Sequence, residues 1–385
     1  MGKKLKYTAF AAIIILLVLP SLEGYFDMIP SRELQGDFIE SPKPALTLSA
    51  WFSMEYQNQM EPFIEENLGF HNELIRLNNQ LDFSLFGKPN AEGVVLGKDG
   101  QLFEADYIRA YLGRDFVGND IIDRKVRRLK FLQEHLKREF GTDLLVIFEP
   151  GKASLYPEYI PKRFDLSEKK RSNYEAYVEK FTEFGINFID FNEYFKSIKD
   201  TLSYPAFTKN GIHWSIYSMT FAADSMINYI ENSRDIKMPE ARIIQWKLSD
   251  TAQRTDNDVS KTLNLLCEPK MDTLAYPVNY FEDSPGQVKP MVLVIGDSFY
   301  WNIFNTRIPH NLFKNEAFWY FYNKVYPDFY FSPTYVSDLD LKSEIEKQDM
   351  VIISVTERFQ YKFDWGFIDE LFQLHAPASP LEPIY

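Results

Sequence analysis

Three short apolar runs constrain this chain more than anything else in it: Leu144–Phe148, Met291–Ile295 and Met350–Val355. Each is too short for a buried helix. Each also lacks the polar alternation of a strand with one wet face, so each reads as a strand buried on both sides. Between them lie stretches of helical periodicity. Val126, Leu129, Leu132 and Leu136 line one face of residues 119 to 140, and further helices are predicted over 168 to 184, over 215 to 230 and from about Phe299. A shorter strand is predicted at Asn187–Phe191. Buried strands alternating with helices imply an α/β fold: a central parallel sheet flanked by helices.

Around that core the sequence divides as follows. Residues 1–24 hold Lys3, Lys4 and Lys6 ahead of the apolar run Tyr7–Leu19. This is the pattern of a signal-anchor helix or signal peptide, and the ambiguous stretch Pro20–Gly24 favours the uncut anchor. Residues 25–50, with Pro30, Pro42 and Pro44, read as a linker, and 51–90 as a helical lead-in. The α/β domain spans 91–370, and 371–385 form a tail. The stretch of about 236–290 breaks the rhythm and reads as an insertion. Lys98-Asp99-Gly100 between apolar flanks predicts a tight hairpin turn.

Composition excludes several classes. The 385 residues carry a net charge of −13, which repels phosphate backbones and argues against nucleic-acid binding. Cys267 is the single cysteine, so no internal disulfide is possible. No His/Cys/Asp/Glu cluster has metal-ligand spacing, and no Gly-rich phosphate loop is present.

The sharpest local feature is Gly296-Asp297-Ser298-Phe299, directly after an apolar strand. Ligands of open α/β sheets bind beyond the carboxyl ends of strands, so a serine there is placed to react. The same residues also suit an ordinary turn and helix cap. A nucleophilic serine needs a base. Of the five histidines, His71, His135, His310 and His375 lie in helical, charged or loop settings, whereas His213 sits in Gly211-Ile212-His213-Trp214-Ser215 before a helix. Trp301, Trp319 and Trp365 offer either sugar-stacking faces or core. Glu357 and Arg358 follow the last strand and should lie near the edge that bears Ser298.

Taken in order, these pieces resemble the SGNH-hydrolase-like domain of the AlgX/AlgJ alginate O-acetyltransferase family. Ser298 in Gly-Asp-Ser and His213 in His-Trp-Ser, with His before Ser, carry the resemblance. So do Val95–Phe103, with Gln101 where Trp is usual, Glu149–Pro157, and Asn67–His71, with His71 where Arg is usual. The resemblance implies O-acetyl transfer to a surface or cell-wall polysaccharide, with Ser298 as nucleophile, His213 as base and no cofactor. It implies an acetyl source in a membrane-bound acyltransferase of the MBOAT kind, and a periplasmic or cell-envelope location on the inner membrane. Lys152, Tyr156, Trp214, Glu357 and Arg358 are then the expected substrate-binding residues.

One departure matters. The family carries Asp two residues before the His, and Gly211 stands there. Three outcomes stay open: another carboxylate, Asp190 or Glu149, completes the triad; a backbone carbonyl orients His213; or the site only binds sugar. Acetylesterase activity with the same residues, or a non-catalytic glycan-binding scaffold, are the rival functions.

Overall fold

The three apolar runs lie side by side in the computed structural model, which describes residues 2–26, 28–36, 41–328 and 332–376. The tail residues beyond 376 lie outside the described residues. The described residues form ten strands: β1 (Val94–Leu96), β2 (Leu102–Glu104), β3 (Asp143–Glu149), β4 (Phe188–Asp190), β5 (Glu240–Ser249), β6 (Leu274–Glu282), β7 (Val292–Gly296), β8 (Phe318–Tyr320), β9 (Lys324–Tyr326) and β10 (Met350–Thr356). Six form the main sheet in the order β4-β3-β10-β7-β8-β9. All neighbours are parallel except β8 and β9. The last strand in sequence is thus central, with Ser354 opposite both Ile147 of β3 and Gly296 of β7.

Register explains the composition. Leu144, Val146, Phe148, Leu293, Ile295, Val351 and Ile353 point into one core with Val126, Leu129, Leu132 and Leu136 of the helix Asn119–Phe140. The residues of opposite parity, Leu145, Ile147, Val294 and Ile352, are buried as well. A sheet covered on both faces has no solvent side, so its strands carry no polar alternation. At about 25 cal/mol per Å² of apolar area, this burial dominates the stability of the domain.

The chain separates into two compact units. One comprises Val95–Asp258 and Lys270–Tyr385 and contains the sheet; the other comprises Met1–Val94 and Val259–Pro269. In the second unit the first helix spans Lys3–Phe26 with no buried residue, longer than the apolar run alone suggests. Its mean hydropathy reaches 2.0. At 1.5 Å per residue it is about 36 Å long, enough for a hydrocarbon core of roughly 30 Å. Part of the expected linker is tied down in this unit. Gln35 exchanges hydrogen bonds with the Asn264 side chain at 2.8 and 2.9 Å, and Arg76 donates to Glu33 O at 2.8 Å.

In the sheet unit, β1 and β2 pair, and the predicted turn is a single 3-10 turn at Lys98–Gly100. The insertion is more ordered than its sequence suggests: β5 and β6 form an antiparallel ribbon, and Asp258 lies in the connection between them. Strands β8 and β9, three residues each, were not legible as separate strands.

Candidate active site

Strand β7 ends at Gly296, where a Cβ would sit 3.1 Å from Ser354 O, so the close approach of β10 favours glycine. Asp297 turns back into the protein. Its Oδ2 accepts from Thr356 N and Thr356 Oγ1, both at 2.8 Å, and its Oδ1 accepts from Phe299 N at 3.0 Å. These bonds lock the strand-to-helix turn and leave Ser298 at the carboxyl edge of the sheet. They also commit the Phe299 N–H to Asp297, so an oxyanion must find other donors than that helix-entry amide.

The imidazole of His213 reaches this serine from 85 residues away in sequence, with Nε2 2.9 Å from Ser298 Oγ. Its ring packs on Phe299 with centroids 4.6 Å apart. Trp214 donates from Nε1 to Phe299 O at 3.3 Å, and Asn302 donates to Trp214 O at 3.2 Å, which binds the histidine loop to the serine turn.

The opposite nitrogen, Nδ1, bonds Asp258 Oδ2, while Asp258 Oδ1 accepts from Ile212 N at 3.0 Å. A carboxylate held at both oxygens fixes the tautomer: Nδ1 carries hydrogen toward Asp258, and Nε2 offers its lone pair to the serine hydroxyl. Burial pulls the His213 imidazolium down, but the charge and hydrogen bond of Asp258, with Asp297 and Glu104 behind them, outweigh it. The net shift is above the ordinary histidine range.

Gly211 now has a physical reading. A Cβ there would meet Thr255 O at 2.8 Å, Thr208 Oγ1 at 2.9 Å and Asp256 O at 3.1 Å. Thr208 Oγ1 donates to Asp256 O at 2.5 Å and accepts from Gly211 N at 2.9 Å. The segment that carries Asp258 therefore lies across the position where the family's aspartate would project. The carboxylate comes from that segment instead.

Neither expected third member reaches His213. Asp190 caps the helix Phe191–Ile198, accepting from Glu193 N at 3.0 Å and from Tyr174 Oη at 2.8 Å. Glu149 is fully buried and accepts from Ser354 Oγ at 2.7 Å. Burial, with the charge of Asp297 beside it, pushes its carboxyl well above the ordinary range. Glu149 sits at the end of β3 and Asp190 at the end of β4, where they bond Ser354 and the start of the helix Phe191–Ile198 rather than His213.

Several expected substrate contacts are also structural. Lys152 is 0 % exposed, and its Nζ meets the carbonyls of Leu102, Thr208, Lys209 and Gly211 at 2.7, 2.6, 3.1 and 2.8 Å. Burial pushes its ammonium down to about 7. Glu357 is buried and bonded to Ser154 Oγ, with its carboxyl pushed up to about 7 by burial. Trp214 is buried, and Tyr156 packs edge-on to Tyr159 and Phe207. Trp319 is core, while Trp301 joins an aromatic cluster with Phe304, Phe318 and Tyr326. Arg358 alone of the five is part-exposed and charged at the site edge, and it pairs with Glu104. The sequence reading missed Asp258 and Glu104. The only signal for the first was the clustering Asp256-Asn257-Asp258 in an aperiodic stretch, and for the second its place at the end of a hairpin.

A parallel sheet with a serine just past one central strand, an imidazole at its hydroxyl and a carboxylate behind the imidazole defines the SGNH-hydrolase-like class. The chain belongs to the family described as SGNH hydrolase-like domain, acetyltransferase AlgX, whose model matches residues 94–304, more than half its length. Among solved structures it is similar to the O-acetyltransferase domain of Pseudomonas putida AlgJ, at 16% identity over 74% of this chain and 99% of that one, with a TM-score of 0.48. Pseudomonas aeruginosa AlgX matches at 15% identity over 72% and 67%, with a TM-score of 0.45. Bacillus cereus PatB1 with a sulfonyl adduct matches at 13% over 71% and 99%, with a TM-score of 0.42. No curated protein sequence matches the chain.

Proposed function

We propose that this protein transfers acetyl groups to hydroxyls of an envelope polysaccharide through an acetyl-Ser298 intermediate. The observation that carries the proposal is His213 standing between Ser298 Oγ and Asp258, in a chain of an acetyltransferase family. His213 Nε2 takes the Ser298 proton as Oγ attacks the acetyl carbonyl. The proton then passes to the departing group, and acetyl-Ser298 remains. In the second half a sugar hydroxyl gives its proton to His213 and attacks the ester, and Ser298 recovers its proton. Asp258 stabilises the imidazolium formed in both halves.

The family resemblance supports a membrane acyltransferase of the MBOAT kind as acetyl source. The helix Lys3–Phe26 with Lys3, Lys4 and Lys6 at its start supports anchoring in the inner membrane with those lysines on the cytoplasmic side and the α/β unit in the periplasm.

Incubation with a chromogenic acetyl ester, with and without an acceptor glycan, tests the reading. Release of the chromophore with one acetyl mass added to Ser298 is expected, and glycan acetylation when acceptor is present. Hydrolysis that no glycan can divert would make the protein an esterase. The Ser298→Ala variant should lose activity by about 10³-fold or more while keeping its fold.

A further inference from the structure

The charges around the nucleophile say what kind of acceptor it can take. Arg358 lies two residues beyond Thr356, the β10 residue whose amide and hydroxyl hold Asp297. Its guanidinium sits over the Tyr107 ring at 5.7 Å, the Tyr107 ring lies 6.2 Å from Phe299, and Phe299 packs on His213. Arg358 is thus the cation at the rim of the Ser298 site. It is not available to a substrate anion: Glu104 holds Nη1, and Asp106 lies 3.5 Å from Nη2. Neighbouring cations are committed as well. Lys152 is buried under carbonyls, Lys209 pairs with Asp272 at 3.2 Å, Arg109 pairs with Asp106 at 3.4 Å, and Arg254 is under the field of Asp256. The charges that act most strongly on His213 all belong to carboxylates: Asp258, Asp297 and Glu104.

A uronate or phosphate group on an acceptor would enter this rim against the carboxylates of Asp258 and Glu104, with the charge of Arg358 already met by Glu104 and Asp106. At a partly desolvated site that costs more than in water. An array of sugar hydroxyls meets no such penalty, and Glu104 and Asp106 offer acceptor oxygens to it.

We infer that the acceptor is an uncharged glycan, and that Glu104, by neutralising Arg358, is the specificity-determining residue that excludes polyuronates. This rests on the acetyl-transfer reading above.

The test uses the full-length protein in detergent, a chromogenic acetyl ester as donor, and two acceptors of similar length: cello-oligosaccharides and oligogalacturonates. Chromophore release without acceptor is measured in every variant, and transfer is expressed relative to it. The expected result is at least about tenfold preference for the neutral acceptor at low salt, narrowing as ionic strength rises. Glu104→Gln, which frees Arg358, should raise the relative use of oligogalacturonate by about tenfold, and Glu104→Gln with Arg358→Gln should abolish that gain. Ester turnover with equal or better use of oligogalacturonate by the wild type overturns the inference. So does an unchanged acceptor ratio in a folded Glu104→Gln variant. Absence of any Ser298-dependent ester turnover instead sinks the acetyl-transfer reading.

Discussion

Asp258 and Gly211 form one device built from two residues. If Asp258 orients and charges His213, then Asp258→Asn should lower kcat by about 10²- to 10⁴-fold. It should also move the acid limb of the pH profile. The working base is neutral His213, so the rate rises with pH through its pKa, and that pKa lies above the ordinary value because of Asp258. Removing the charge lowers the pKa, so the residual activity should reach its plateau at a lower pH. A pH–rate profile of ester hydrolysis for both proteins checks the direction. Restoring the family's residue should not help: Gly211→Asp forces a Cβ within 2.8 Å of Thr255 O. The double variant with Asp258→Asn should gain no activity, and Gly211→Asp alone should cost about 1–3 kcal/mol in urea unfolding. Position 211 was legible in sequence as a departure, but not as a cause, because its neighbours arrive from 44 to 45 residues downstream.

Among the elements, the loop before His213 depends on a single buried side chain. Lys152 gathers carbonyls from β2 and from residues 208, 209 and 211, and Leu102 N adds a 2.8 Å bond to Lys209 O. An ammonium has three hydrogens, and here they serve loop oxygens that water cannot reach. Lys152→Met keeps the length of the stem but takes this donor from the Leu102, Thr208 and Gly211 carbonyls, at about 1–3 kcal/mol each, while Lys209 O keeps its bond from Leu102 N. A loss of at least about 3 kcal/mol is expected in chemical denaturation, together with lower kcat as the histidine loop loosens. The strands that carry the site were readable because Leu144–Phe148, Val292–Ile295 and Met350–Ile353 are unbroken apolar runs; the buried polar residues Glu149, Ser354 and Thr356 come only towards the carboxyl ends, where the site lies. The helix Asn119–Phe140 was readable because its buried residues recur every three or four positions. Strands β5 and β6 were not: eight successive residues of β5, from Ala241 to Leu248, are exposed, so no buried face imposes a period of two on the sequence.

At the scale of the whole molecule, the long unburied apolar helix Lys3–Phe26 near the start of the chain carries a prediction about location. The full chain should sediment with membranes and resist extraction by high salt, because the apolar surface of Lys3–Phe26, not ion pairing, holds it there. Deleting residues 2–26 should release it to the soluble fraction; a protein that stays bound without them would show that another surface makes the attachment.

The sequence by itself determined the α/β class, the anchor-like helix, and the serine and histidine worth watching, because burial and strand termini leave local patterns in residue type. Only the tertiary structure decided which carboxylate stands behind His213, which lysine is a strut and which arginine is already neutralised. Those are distances between residues far apart in the chain, and electrostatic partnership acts through space, leaving no period and no spacing to read.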